Sequence, residues 1–63
     1  MAGRVRIVVA DDHAVLRAGL KAFLEEQTDP PIEVVAQTSH AEEVGELVER
    51  FRPDLLLLDL SMP

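Results

Sequence analysis

The first apolar block of the chain is Val5 to Ala10 ("VRIVVA"), in which only Arg6 is polar. A nearly continuous run rich in β-branched residues predicts a strand buried on both faces, as in a parallel sheet. Asp11, Asp12 and His13 break the run with polar residues suited to the start of a helix. From Ala14 to Gln27 the period changes: Leu16, Leu20, Phe23 and Leu24 recur at i, i+4, i+7 and i+8, and Val15, Gly19 and Ala22 widen that face. Asp29-Pro30-Pro31 stops the helix. Ile32 to Thr38 ("IEVVAQT") predicts a second, more polar strand. Ser39 and Glu42 stand at the spacing of a capping box, ahead of a second helix with Ala41, Val44, Leu47, Val48 and Phe51 on one face. Arg50 and Arg52 sit where cations suit a helix C-terminus, and Pro53 ends the helix. Leu55 to Asp59 predicts a third strand, again buried on both faces.

Strands alternating with amphipathic helices predict an α/β unit, β-α-β-α-β, with a parallel sheet. The second strand, being the most polar, belongs at an edge, and right-handed crossovers then give the order 2-1-3. Reversing direction between the first and second crossover puts the two helices on opposite faces. It also opens a crevice at the C-terminal ends of strands one and three.

Composition narrows the function. The 63 residues carry no cysteine, so a disulfide framework or thiolate metal site is excluded. A net charge of −6 disfavours nucleic acid as a direct partner of this segment. The two arginines near the N-terminus precede an apolar run too short for a signal peptide, and no apolar run approaches the ~20 residues of a membrane span. The expectation is a soluble, cytoplasmic protein without a membrane partner.

The crevice gathers three carboxylates. Asp11 and Asp12 leave the first strand and Asp59 leaves the third, all at C-terminal ends. Crowded carboxylates raise one another's pKa unless a cation compensates. Magnesium suits the set, because Mg2+ takes oxygen ligands and commonly uses one or two carboxylates plus water and phosphate oxygens. The arrangement therefore invites Mg2+ and a phosphoryl group, with one aspartate as nucleophile. His13 beside the acids fits a helix start better than a ligand role, since Mg2+ prefers oxygen. His40 is expected to be exposed, Arg17 to form a surface ion pair, Gly19 to mark close packing, and Glu42, Glu43, Glu46 and Glu49 to form a solvated helix face. Asp12 is also a candidate cap for the first helix.

"VVADDHAVLRAGLKAFLE" followed by "RPDLLLLDLSMP" resembles the receiver domain of bacterial two-component response regulators. The DDH-x-x-x-R-x-G-L wording is similar to the subfamily whose output is a helix-turn-helix DNA-binding domain. The resemblance implies a flavodoxin-like fold and a phospho-accepting switch rather than a metabolic enzyme. It makes Asp59 the phospho-acceptor, supplied by a sensor histidine kinase or by a small donor such as acetyl phosphate. It makes Asp12 a direct Mg2+ ligand and Asp11 one acting partly through metal-bound water. Ser61 would contribute its backbone carbonyl to the metal, its side chain mattering less, and Met62-Pro63 would shape the following loop. DNA would be bound by a C-terminal output domain, not by this segment.

The departures carry expectations too. The family domain is about twice as long and places a Thr or Ser and a Lys after two further strands. Lys21, midway along the first helix, cannot replace that Lys. Residues 1–63 are thus expected to be the N-terminal half of a receiver domain, cut after the third strand. Such a piece is expected not to be a stable monomer: it would take missing strands from another chain, self-associate, a homodimer included, through strand three, or be part of a longer chain. Two enzyme-like alternatives compete. A haloacid-dehalogenase-like phosphatase wants a second Asp where Ser61 stands and usually a nucleophile after the first strand. A dinucleotide-binding Rossmann domain wants a glycine-rich turn that "ADDHA" lacks. A receiver-like interaction module that takes no phosphate is the non-enzymatic alternative.

Overall fold

A computed structural model describes residues 3–61. Its elements are β1 (Val5–Ala10), α1 (Ala14–Glu25), β2 (Ile32–Thr38), a 3₁₀ turn (Ala41–Glu43), α2 (Val44–Phe51) and β3 (Leu55–Leu58). The strands form one parallel sheet in the order β2-β1-β3, as the polarity of β2 predicted. Among the described residues no helix is long and apolar enough to cross a membrane.

Alternation along β1 sorts the two helices. Ile7 and Val9 are buried with Val34 against Leu20 and Leu24 of α1 and the flanking Val5 and Ile32. Val8 and Ala10, also buried, face the other way, with Arg6, whose side chain reaches the end of α2. Opposite helix faces follow directly from the period-two geometry of the central strand. The register slips between Ile7 and Val8, so that Val34 pairs with Ile7 but Ala36 with Val8. The extra residue, Val35, is a bulge that reverses the facing of the rest of β2. Gln37 thereby joins the α1 side and Thr38 the α2 side.

Several local expectations are corrected. α1 ends at Glu25 rather than Gln27, because the chain tightens into a 3₁₀-type bond from the Gln27 N–H to the Leu24 carbonyl before turning toward Pro30. Of its predicted face only Leu20 and Leu24 pack against the sheet; Val15, Leu16 and Phe23 are exposed. Gly19 marks no close approach, since a Cβ there would meet nothing within 4 Å. The Ser39/Glu42 capping box does not form. Thr38, turned by the bulge, accepts the His40 N–H at 3.0 Å and donates its hydroxyl to Glu43. β3 is not buried on both faces: its four leucines are between 37% and 55% exposed, and among the described residues no strand pairs with its far edge.

The C-terminus of α2 is closed from a distance. Arg52 takes a left-handed conformation (φ 47°) and its N–H bonds the Val48 carbonyl, which ends the helix before Pro53. The cation on the terminal carbonyls is neither Arg50 nor Arg52 but Arg6 of β1. Its Nη1 donates to the Phe51 carbonyl at 2.6 Å and lies 3.3 Å from that of Arg52. Arg50 instead lies over the Phe51 ring, 5.5 Å from its centroid. Arg6 and Asp54 also exchange bonds: the Arg6 N–H donates to Asp54 Oδ2 at 2.8 Å and the Asp54 N–H to the Arg6 carbonyl at 2.7 Å. Arg6→Met keeps the apolar stem and removes the donors, leaving carbonyls at a partly buried helix end unsatisfied. It is expected to cost about 1–2 kcal/mol, measured by chemical denaturation of the intact protein. A change below a few tenths would remove Arg6 from this role.

Candidate functional site

Asp11 and Asp59 are each placed by the strand before them. The Asp11 N–H donates to the Thr38 carbonyl at 3.0 Å and the Asp59 N–H to the Ala10 carbonyl at 2.9 Å. The parallel ladders thus continue one step past the strands and fix both backbones at the crevice. Asp11 is 4% exposed. Its Oδ1 accepts the His13 N–H at 2.8 Å, so Asp11 and not Asp12 closes the turn into α1, whose N-cap residue is His13. Among the described residues Arg17 forms no ion pair. Its Nη1 donates to the Asp11 carbonyl at 2.6 Å and its Nε to Gln37 Oε1 at 3.0 Å, clasping α1 across the ends of β1 and β2.

Asp59 is held by one oxygen and presents the other. Its Oδ1 accepts both the N–H and the Oγ–H of Ser61, at 2.9 Å and 2.8 Å. The Ser61 side chain, expected to matter less than its carbonyl, therefore has a structural task. Oδ2 of Asp59 faces the His13 ring. The two Ser61 bonds, and the His13 ring beyond them, hold the Asp59 carboxyl below its ordinary value of 3.8. The mutual repulsion anticipated for the three acids is thus offset by donors built into the chain. Met62-Pro63 lies outside the described residues.

His13 is the residue that sequence reasoning undervalued. Its Nδ1 lies 2.9 Å from Asp11 Oδ1, 3.0 Å from Asp12 Oδ1 and 3.4 Å from Asp59 Oδ2. Asp11, Asp12, His13 and Asp59 each offer a ligand atom within 4.8 Å of the others. The signal was present as the adjacency of DDH, but its meaning needed β3 alongside. The hydrogen bond to Asp11, then the charges of Asp12 and Asp11, raise the His13 pKa above its ordinary 6.5. A raised folded-state pKa contributes stability that is fully present below pH 6.5 and lost as the pH climbs through the folded value. NMR titration of the intact protein in chelator is expected to place the His13 ring above 6.5 and Asp12→Asn to lower it; a wild-type value at or below 6.5 would contradict the contacts.

The three carboxylates form a hard, all-oxygen set converging on one point at the open end of the sheet, with Asp12 and Asp59 reachable from solvent. That chemistry fits Mg2+ better than a softer metal.

Known proteins are similar to this sequence. The family model described as "Response regulator receiver domain" matches residues 7–63. The chain is 48% identical to the "Uncharacterized transcriptional regulatory protein YhcZ" of Bacillus subtilis over 59 residues, covering 94% of this chain and 27% of that protein. It is likewise 48% identical to the "Oxygen regulatory protein NreC" of Staphylococcus aureus, covering 94% of this chain and 26% of that protein. The chain thus spans about a quarter of the length of the curated relatives it matches. No solved structure matches it. The dehalogenase and Rossmann alternatives gain no support from these matches.

Proposed function

The chain belongs to the response regulator receiver domain family, and from that premise we propose that it accepts a phosphoryl group on Asp59. The observation that carries this reading is the asymmetry of the Asp59 carboxyl. Ser61 fixes Oδ1, while Oδ2 stays at the mouth of the crevice beside the Asp11–Asp12 pair. Because its pKa is lowered, Asp59 is ionised throughout the physiological range and needs no base. Oδ2 attacks phosphorus and forms the new O–P bond. The P–N bond of a phosphohistidine, or the P–O bond of acetyl phosphate, breaks, and its electron pair leaves with the imidazole or the acetate.

Asp11, Asp12, Asp59 and the Ser61 carbonyl are the groups that would hold Mg2+. Bound there, the ion would neutralise carboxylate and phosphoryl charge together. Asp11 is kept in place for this by its bond from the His13 N–H and by Arg17 on its carbonyl.

The same reading assigns the wider roles. The donor is a sensor histidine kinase, and the protein acts in the cytoplasm as a transcription regulator, the last in line with the name of the Bacillus subtilis relative. DNA is contacted by an output domain, since this segment is acidic. Residues 1–63 supply the N-terminal half of the receiver, and the uncovered leucines of β3 are the surface its further strands would cover. The test is incubation of the intact protein with acetyl phosphate and Mg2+, with the product read by mass spectrometry. One hydroxylamine-sensitive phosphoryl group on the peptide containing Asp59, lost with chelator, is expected. No incorporation would leave a receiver-like interaction module instead.

A further inference from the structure

The His13 ring takes up carboxylate oxygens that a cation would need. Its Nδ1 reaches oxygens of all three acids at 2.9, 3.0 and 3.4 Å. An ionised carboxylate only accepts hydrogen bonds, so Nδ1 carries the proton toward Asp11 Oδ1, and the neutral tautomer suffices for this. Mg2+ needs its ligand oxygens at about 2.0–2.1 Å in octahedral geometry. The Nδ1–H that occupies these oxygens offers a cation no lone pair. Ring and ion would therefore compete for the same three carboxylates.

The ring is also free to leave. The His13 side chain is 61% exposed and makes no capping bond to α1. The bond that orients Asp11 comes from the His13 backbone N–H, which does not depend on where the ring points. Arg17 holds the Asp11 carbonyl independently. Rotation about the His13 side-chain bonds thus opens the acids without undoing the turn that presents them.

We propose that the His13 imidazole is an internal stand-in for the cation, gathering Asp11, Asp12 and Asp59 and swinging out to solvent when Mg2+ binds. This rests on reading the acid cluster as the Mg2+ site. His13 is then a positioning residue that sets the cation concentration at which the site is ready.

The experiment is a Mg2+ titration of the intact protein at one pH, by calorimetry on the wild type, His13→Ala and Asp12→Ala, and by NMR of the wild-type histidine rings. His13→Ala is expected to bind Mg2+ about three- to tenfold more tightly, the range of one half-exposed, charge-assisted hydrogen bond. The wild-type His13 ring signals are expected to shift in step with saturation. The NMR arm needs no variant and so does not depend on how His13→Ala folds. Unchanged or weaker binding by His13→Ala, or unmoved ring signals while the wild type binds, overturns the displacement but leaves the metal site standing. If the wild type binds no Mg2+, or Asp12→Ala binds equally well, the metal-site reading fails and takes this inference with it.

Discussion

Replacing Asp59 by asparagine is expected to bring phosphoryl uptake from acetyl phosphate to background, on the order of a hundredfold or more, as removal of a nucleophile does. The substitution is a clean one in this setting. Asparagine keeps the size of the side chain, and its amide oxygen can still accept the two Ser61 bonds that fix Oδ1. The loss is confined to the anionic Oδ2 that faces the crevice. The fold should therefore survive while the chemistry stops. The depressed pKa of Asp59 adds a sign that can be checked. A carboxyl lowered in the folded state contributes stability above its ordinary value of 3.8, and that contribution is lost as the pH falls through the folded value. Asp59→Asn should accordingly flatten the acid limb of the stability profile as well as abolish uptake. If the variant still forms a hydroxylamine-sensitive phosphate at the wild-type level, another residue is the acceptor.

The 63-residue chain on its own is expected to sediment as a concentration-dependent oligomer, and a Leu56→Lys/Leu57→Lys variant to sediment as a smaller species. β3 bonds β1 along one edge only, and its other edge offers N–H and C=O groups with no strand beside them among the described residues. Its register with β1 puts Leu55 and Leu57 on the α1 side of the sheet and Leu56 and Leu58 on the α2 side, all substantially exposed. Val15, Leu16 and Phe23 of α1 add further uncovered apolar area. An unpaired apolar edge is a template for pairing, and natural edges are commonly protected by charge, lysine above all. One lysine on each face would impose that protection. A monodisperse wild-type monomer with a cooperative thermal transition would show that this edge does not drive association.

Asp11, Asp12 and Asp59 come together for reasons that were legible in the chain. β1 and β3 read as strands from their runs of apolar residues, β2 reads as an edge strand from its polarity, and the crossover rule leaves little freedom in ordering them. Once the order is β2-β1-β3, the residues just past β1 and β3 must meet. These features depend on local period and on chain handedness, and both are written residue by residue. Burial and partners were not legible in that way. A leucine run is compatible with a buried strand, but only neighbours bury it, and among the described residues β3 has one. The apolar face of α1 has the right period, yet the sheet meets it at Leu20 and Leu24 and leaves Leu16 and Phe23 outside. Thr38 replaces Ser39 at the α2 turn because a single extra residue in β2 reverses the facing of the strand. Arg6 closes a helix that begins 38 positions later in the chain, and His13 meets Asp59 only because β3 returns beside β1. Hydrogen-bond partners of this kind are chosen by which backbones the fold sets side by side, and no periodicity along one element contains that information.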